Sequence, residues 1–138
     1  MAAVITSTPI HYAHSVTVNG HALVVDEPDK LGGKNAGPAP FDLYLASLAA
    51  CTAITLRMYA ERKGWELGEF RAVLRLHFGD DGRPNVHRTL HADGPLDDAQ
   101  WARLLEVVAN TPVTKAMRDG ATITSSASRA SARWGTVT

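Results

Sequence analysis

From Leu43 to Leu56 the chain runs for 14 residues without a charge, LYLASLAACTAITL, inside a longer stretch bounded by Gly37 and Gly64. Helical spacing puts Tyr44, Leu48, Cys51, Thr55 and Met58 on one stripe and Leu45, Ala49, Thr52, Leu56 and Tyr59 on a second. A third holds Leu43, Ser47, Ala50 and Ile54. Every side is apolar or small, so the pattern predicts a central helix over residues 41–63, buried all round. Pro40 suits the first turn, where its missing N–H is not needed, and Asp42 places a negative charge at the positive end of the dipole. Arg62 and Lys63 favour the other end, and Gly64 can close it in the left-handed conformation. The uncharged run is shorter than the roughly 20 residues that cross a bilayer. A soluble protein with no membrane partner is expected.

At 138 residues a single domain, 1–138, is expected. Fourteen basic and fourteen acidic residues cancel, which gives no support for nucleic acid as a partner. One cysteine excludes an internal disulfide and fits a reducing compartment. The first residues lack a basic segment followed by an apolar core, so no signal peptide is expected, and the cytoplasm is the expected location.

Residues 1–26 read as strands. Asn19-Gly20 suits a type I′ turn, and a two-residue loop there pairs Val18 with His21, Val16 with Leu23 and His14 with Val25. An earlier strand over about Ala3 to Thr8 joins them, and the Gly- and Pro-rich Asp26–Pro40 leads into the helix. Residues 69–126 carry the remaining strands and helices. After Gly64 the period becomes 2, with Phe70, Ala72, Leu74, Leu76 and Phe78 on one face. Asp80-Asp81-Gly82 turns the chain into a strand from Asn85 to Ala92 with Val86 and Leu90 inward. Asp97 and Gln100 form a capping box ahead of a helix with Trp101, Leu104, Leu105 and Val108 buried. Thr111-Pro112 reads as the cap and first residue of a short helix ending at Gly120. Ala121–Ser126 reads as a last strand and 127–138 as a tail. The order gives an α+β fold with antiparallel sheet.

Cys51 is the candidate for chemistry. A lone cysteine on a buried helix reads either as inert core or as a nucleophile, and three turns into the helix it is beyond the N-terminal dipole. A reactive thiolate there needs a cation from elsewhere. The histidines give no metal-ligand spacing, because His87 and His91 lie about 13 Å apart along a strand at ~3.3 Å per residue. Neither metal nor cofactor is expected. His14 and His21 share the hairpin face with Val16 and Leu23, and His14 is a candidate for the positive neighbour of Cys51.

GGKNAGPAPFDLYLASLAACTAITLRMYAERKGW, the strand pair ending in LHADGPLDDAQWARLLEVV, and TPVTKAM together resemble the OsmC/Ohr superfamily of osmotically inducible and organic hydroperoxide reductase proteins, over about Leu23 to Ser126. The resemblance implies an intertwined homodimer, with the central helices packed between antiparallel sheets. It also implies a peroxidatic cysteine, matched by Cys51, that attacks a hydroperoxide and is captured by a second cysteine. At that second position, before Pro112-Val113, this chain has Thr111. The family's glutamate ten residues before the cysteine is replaced by Phe41, with Asp42 next to it, and no arginine occurs before Arg57.

Two functions are therefore carried forward. One is a one-cysteine thiol peroxidase in which Cys51 reduces an organic hydroperoxide and an external thiol restores it. The other is a dimeric scaffold that holds a small hydrophobic ligand without turnover.

Overall fold

The computed structural model describes residues 1–129. Two compact units are distinguished: Met1–Leu43 with the described residues from Ile123 onward, and Tyr44–Thr122.

In the first unit, β1 (Ala3–Ser7), β2 (His14–Val18) and β3 (His21–Val25) form an antiparallel sheet in that order. The turn between β2 and β3 has Asn19 at φ 48° and Gly20 at φ 78°, as a type I′ turn requires, and Val18 faces His21, Val16 faces Leu23 and His14 faces Val25. The loop after β3 is organised by one buried carboxylate. Asp26 accepts hydrogen bonds from the backbone N–H groups of Glu27 at 2.8 Å and of Lys34 and Ala36 at 3.1 Å. Its own N–H donates to the Pro38 carbonyl, 3.2 Å away. Gly37 has no alternative there, since a Cβ would run into the carbonyl of Val24. The Ala36 amide, the largest influence, outweighs the effect of burial and, with the other two amides and His11, holds the Asp26 carboxyl below its ordinary value.

Helix α1 (Pro40–Lys63) begins where the proline and Asp42 mark it, and Asp42 accepts from the Ala39 N–H at 2.8 Å, one half of a capping box. By length and composition alone this helix is long and apolar enough to cross a membrane. The all-round burial expected from its sequence is not found in the single chain. Leu48, Thr52, Leu56 and Ala60 are buried, while Ser47, Ala50, Ile54 and Met58 form an exposed stripe, Ile54 at 57% and Met58 at 59%. One chain supplies packing for one side only.

Within the second unit, β4 (Phe70–Phe78) and β5 (Pro84–Ala92) pair antiparallel, with Leu74 opposite Arg88. α2 (Asp98–Val108) starts at the expected capping box: Asp97 accepts from the Gln100 N–H and the Gln100 side chain accepts from the Asp97 N–H. Leu56, Ala60, Leu67, Leu104 and Val108 form the core, covered by Tyr59, Phe70, Leu90 and Trp101. α3 (Pro112–Asp119) follows at once.

The expected strand Ala121–Ser126 does not form. Its β-branched residues favour a strand, but among the described residues it has no strand partner, and Ile123 is 84% exposed. The expected tail lies outside the described residues beyond Arg129.

Candidate functional site

Cys51 is half-buried on α1, one turn before Thr55, whose hydroxyl lies 3.8 Å from the sulfur. Two elements of the second unit, β5 and the start of α3, converge beside it. From β5 comes Arg88, which period-2 alternation places on the same inward face as Val86 and Leu90. Its guanidinium is committed to neutral acceptors: Nη1 donates to Thr52 Oγ1 at 2.9 Å and to Thr114 Oγ1 at 3.0 Å, and Nη2 to the Val108 carbonyl at 2.9 Å. Thr52 in turn donates to the Leu48 carbonyl at 2.7 Å. From α3 come Thr111 and Thr114, whose hydroxyl oxygens are 2.6 Å apart.

Each hydroxyl has one proton. In the 2.6 Å pair either Thr111 or Thr114 can donate, and the Thr114 proton has a second acceptor in the Val108 carbonyl at 3.3 Å. The Thr111 hydroxyl also faces the Cys51 sulfur, so Arg88, Thr114 and Thr111 form a connected polar cluster that reaches the thiol. The start of α3 adds to it. Pro112 has no N–H, so the first amide of the helix is that of Val113, and it too faces the sulfur.

Burial pushes the Cys51 thiol up, as the largest single effect. The Val113 amide, the hydroxyls of Thr111 and Thr55 and the charge of Arg88 together outweigh it, and the net shift is below the ordinary 9.0. Arg88 shows the reciprocal pattern: desolvation lowers it and Cys51 partly restores it.

Several expectations are corrected here. Thr111 occupies the N-cap position, with φ −67° and ψ 156°, but its hydroxyl makes no cap bond. It is 1% exposed and spends its hydrogen bonding on Thr114 and Cys51. Within the second unit the cation acting on Cys51 is Arg88. His14 belongs to the first unit, where its Nδ1 bonds to the Tyr12 carbonyl at 2.8 Å. Asp42 serves the helix start. The signal for Arg88 was present in the alternation of β5, where an arginine stands between two inward apolar residues.

Residues 32–126 match the family model described as OsmC-like protein. The chain belongs to this family, within the OsmC/Ohr superfamily. A comparison with curated proteins found no match. Among solved structures, an osmotic stress induced and detoxification response protein from Psychrobacter arcticus is similar with a TM-score of 0.74 and 21% identity, over 84% of this chain and 87% of that one. An OsmC like protein from Mycoplasma pneumoniae gives 0.64 and 17%, over 85% and 84%. The organic hydroperoxide resistance protein OhrB of Bacillus subtilis gives 0.56 and 23%, over 86% and 91%. At these identities the likeness is one of fold.

Proposed function

We propose that this protein is a one-cysteine thiol peroxidase acting on organic hydroperoxides, with Cys51 as the peroxidatic residue. The observation that carries the reading is the convergence of Arg88, Thr111 and the Val113 amide on Cys51, which favours the thiolate at a family position for such a cysteine. Membership of a superfamily that includes organic hydroperoxide resistance proteins supports the substrate class.

The thiolate attacks the terminal oxygen of the hydroperoxide. The O–O bond breaks, the alkoxide takes a proton and leaves as alcohol, and Cys51 becomes a sulfenic acid. The chain has no second cysteine. An external thiol therefore condenses with the sulfenic acid, releasing water and forming a mixed disulfide, and a second thiol frees Cys51. This cycle suits the cytoplasm, where thiols are kept reduced.

The working unit in this reading is a homodimer. The exposed stripe Ser47, Ala50, Ile54 and Met58 gives α1 an apolar or small face that a second copy would cover.

Trapping with dimedone tests the chemistry. After one equivalent of cumene hydroperoxide, mass spectrometry should find the adduct on Cys51. Absence of the adduct, with the thiol still free, would count against the proposal.

A further inference from the structure

Beside the cysteine site, within the second unit, lies a recess of about 350 Å³, in the range of small-molecule sites. Leu48, Val86 and Met117 give it an apolar wall, and three arginines, Arg83, Arg88 and Arg118, reach it. Among the described residues no aspartate or glutamate lines it. Arg88 is committed to neutral oxygens, as described above. The guanidinium of Arg83 makes no hydrogen bond or ion pair among the described residues, its backbone alone being bonded, to Gly79, Asp81 and Asn85. Arg118 reaches the Ala109 carbonyl at 3.3 Å and Asp119 at 3.8 Å, the latter pair exposed on both sides and so weak.

Three positive charges around an apolar wall, with a single loose counter-charge between them, are complementary to an anion that carries an apolar body. We infer that this recess binds an amphipathic organic carboxylate, its head on Arg83 and Arg118 in the fork geometry that guanidinium offers and its body against Leu48, Val86 and Met117. Arg88 and Thr114 line the recess and also belong to the shell of Cys51, so the bound molecule lies next to the thiol site. A carboxylate-bearing hydroperoxide, a carboxylate-bearing thiol and a free carboxylate ligand share this chemistry.

Calorimetry with octanoate as probe and 1-octanol as its neutral counterpart tests the inference on the full chain. Octanoate should bind the wild type, shift the amide resonances of Thr114 and Met117, and bind at least about fivefold more weakly to the Arg83→Gln/Arg118→Gln variant. Octanol should bind more weakly and ignore the substitutions. Both side chains are exposed, and if the double variant is unfolded by circular dichroism the two single variants carry the same comparison. Undetectable octanoate binding at millimolar concentration, equal binding of octanol, or affinity unchanged in the folded variants would overturn the inference. Turnover separates the sources, and that arm alone rests on the peroxidase reading. A raised KM for 3-mercaptopropionate but not 2-mercaptoethanol identifies the thiol. A raised KM for a carboxylated hydroperoxide but not cumene hydroperoxide identifies the peroxide. No change in either pair, with octanoate binding still dependent on the arginines, identifies a free carboxylate ligand.

Discussion

Arg88 of β5 donates a 2.9 Å hydrogen bond to Thr52 of α1, the residue that follows Cys51, across 36 positions of sequence. That bond and the one to Thr114 hold the guanidinium where its charge acts on the thiol. Arg88→Met should therefore raise the pH at which Cys51 is half-alkylated by iodoacetamide toward the ordinary 9.0. It should also cost about 2 kcal/mol of stability, because three charge-assisted bonds are lost. An unmoved alkylation profile in the folded variant would remove Arg88 from the account.

Thr111 can be separated from its neighbours by shape. Thr111→Val keeps the volume and removes the proton donor, so it should raise the Cys51 pKa at a cost of about 1 kcal/mol, while Thr111→Ser keeps the pKa low. A simple cap would give no titration difference among the three proteins. Because the hydroxyl faces the sulfur, Thr111→Cys should form a disulfide with Cys51 on mild oxidation, seen as the loss of both thiols. Two free thiols in a folded protein would contradict this geometry.

The same shift makes stability depend on pH. The folded protein releases the Cys51 proton at lower pH than the unfolded chain, so the contribution is fully present above 9.0 and is lost as pH falls through the lower folded value. Wild type should gain on Cys51→Ser as pH rises toward 9.0, and the gap should close below the folded pKa. Urea melts at a series of pH values measure it. A constant gap would contradict the lowered pKa.

How far the sequence revealed this arrangement depended on the range of the interactions. Asn19-Gly20 and the Asp97–Gln100 box are read within a few residues, because the backbone conformation and its partners lie in the same short segment. Pro40, Asp42 and Gly64 marked the long helix for the same reason. Arg88 was missed because its partners belong to α1, α2 and α3, and no local pattern brings them to one strand. Thr111 looked like a cap since Thr-Pro is a good helix start, yet burial beside Thr114 gave its hydroxyl a nearer partner. Ala121–Ser126 has strand residues but, among the described residues, pairs with no strand, and pairing is a condition that composition does not contain.

The exposed face of α1 carries a prediction about assembly. Leu48 is 5% exposed within one chain, so a charge there would disrupt the fold whether or not a dimer exists. Ile54, at 57%, separates the two cases. The wild type should sediment as a dimer at micromolar concentration, and Ile54→Asp should lose several kcal/mol of association. A wild-type monomer would contradict the homodimer.

Turnover of hydroperoxide at Cys51 is measured most directly as the consumption of cumene hydroperoxide with dithiothreitol as reductant, wild type against Cys51→Ser. The wild type should consume it catalytically, with the Cys51→Ser protein no faster than dithiothreitol alone. If both proteins match the dithiothreitol background, Cys51 is not a peroxidatic centre, and a ligand-binding scaffold replaces the enzyme.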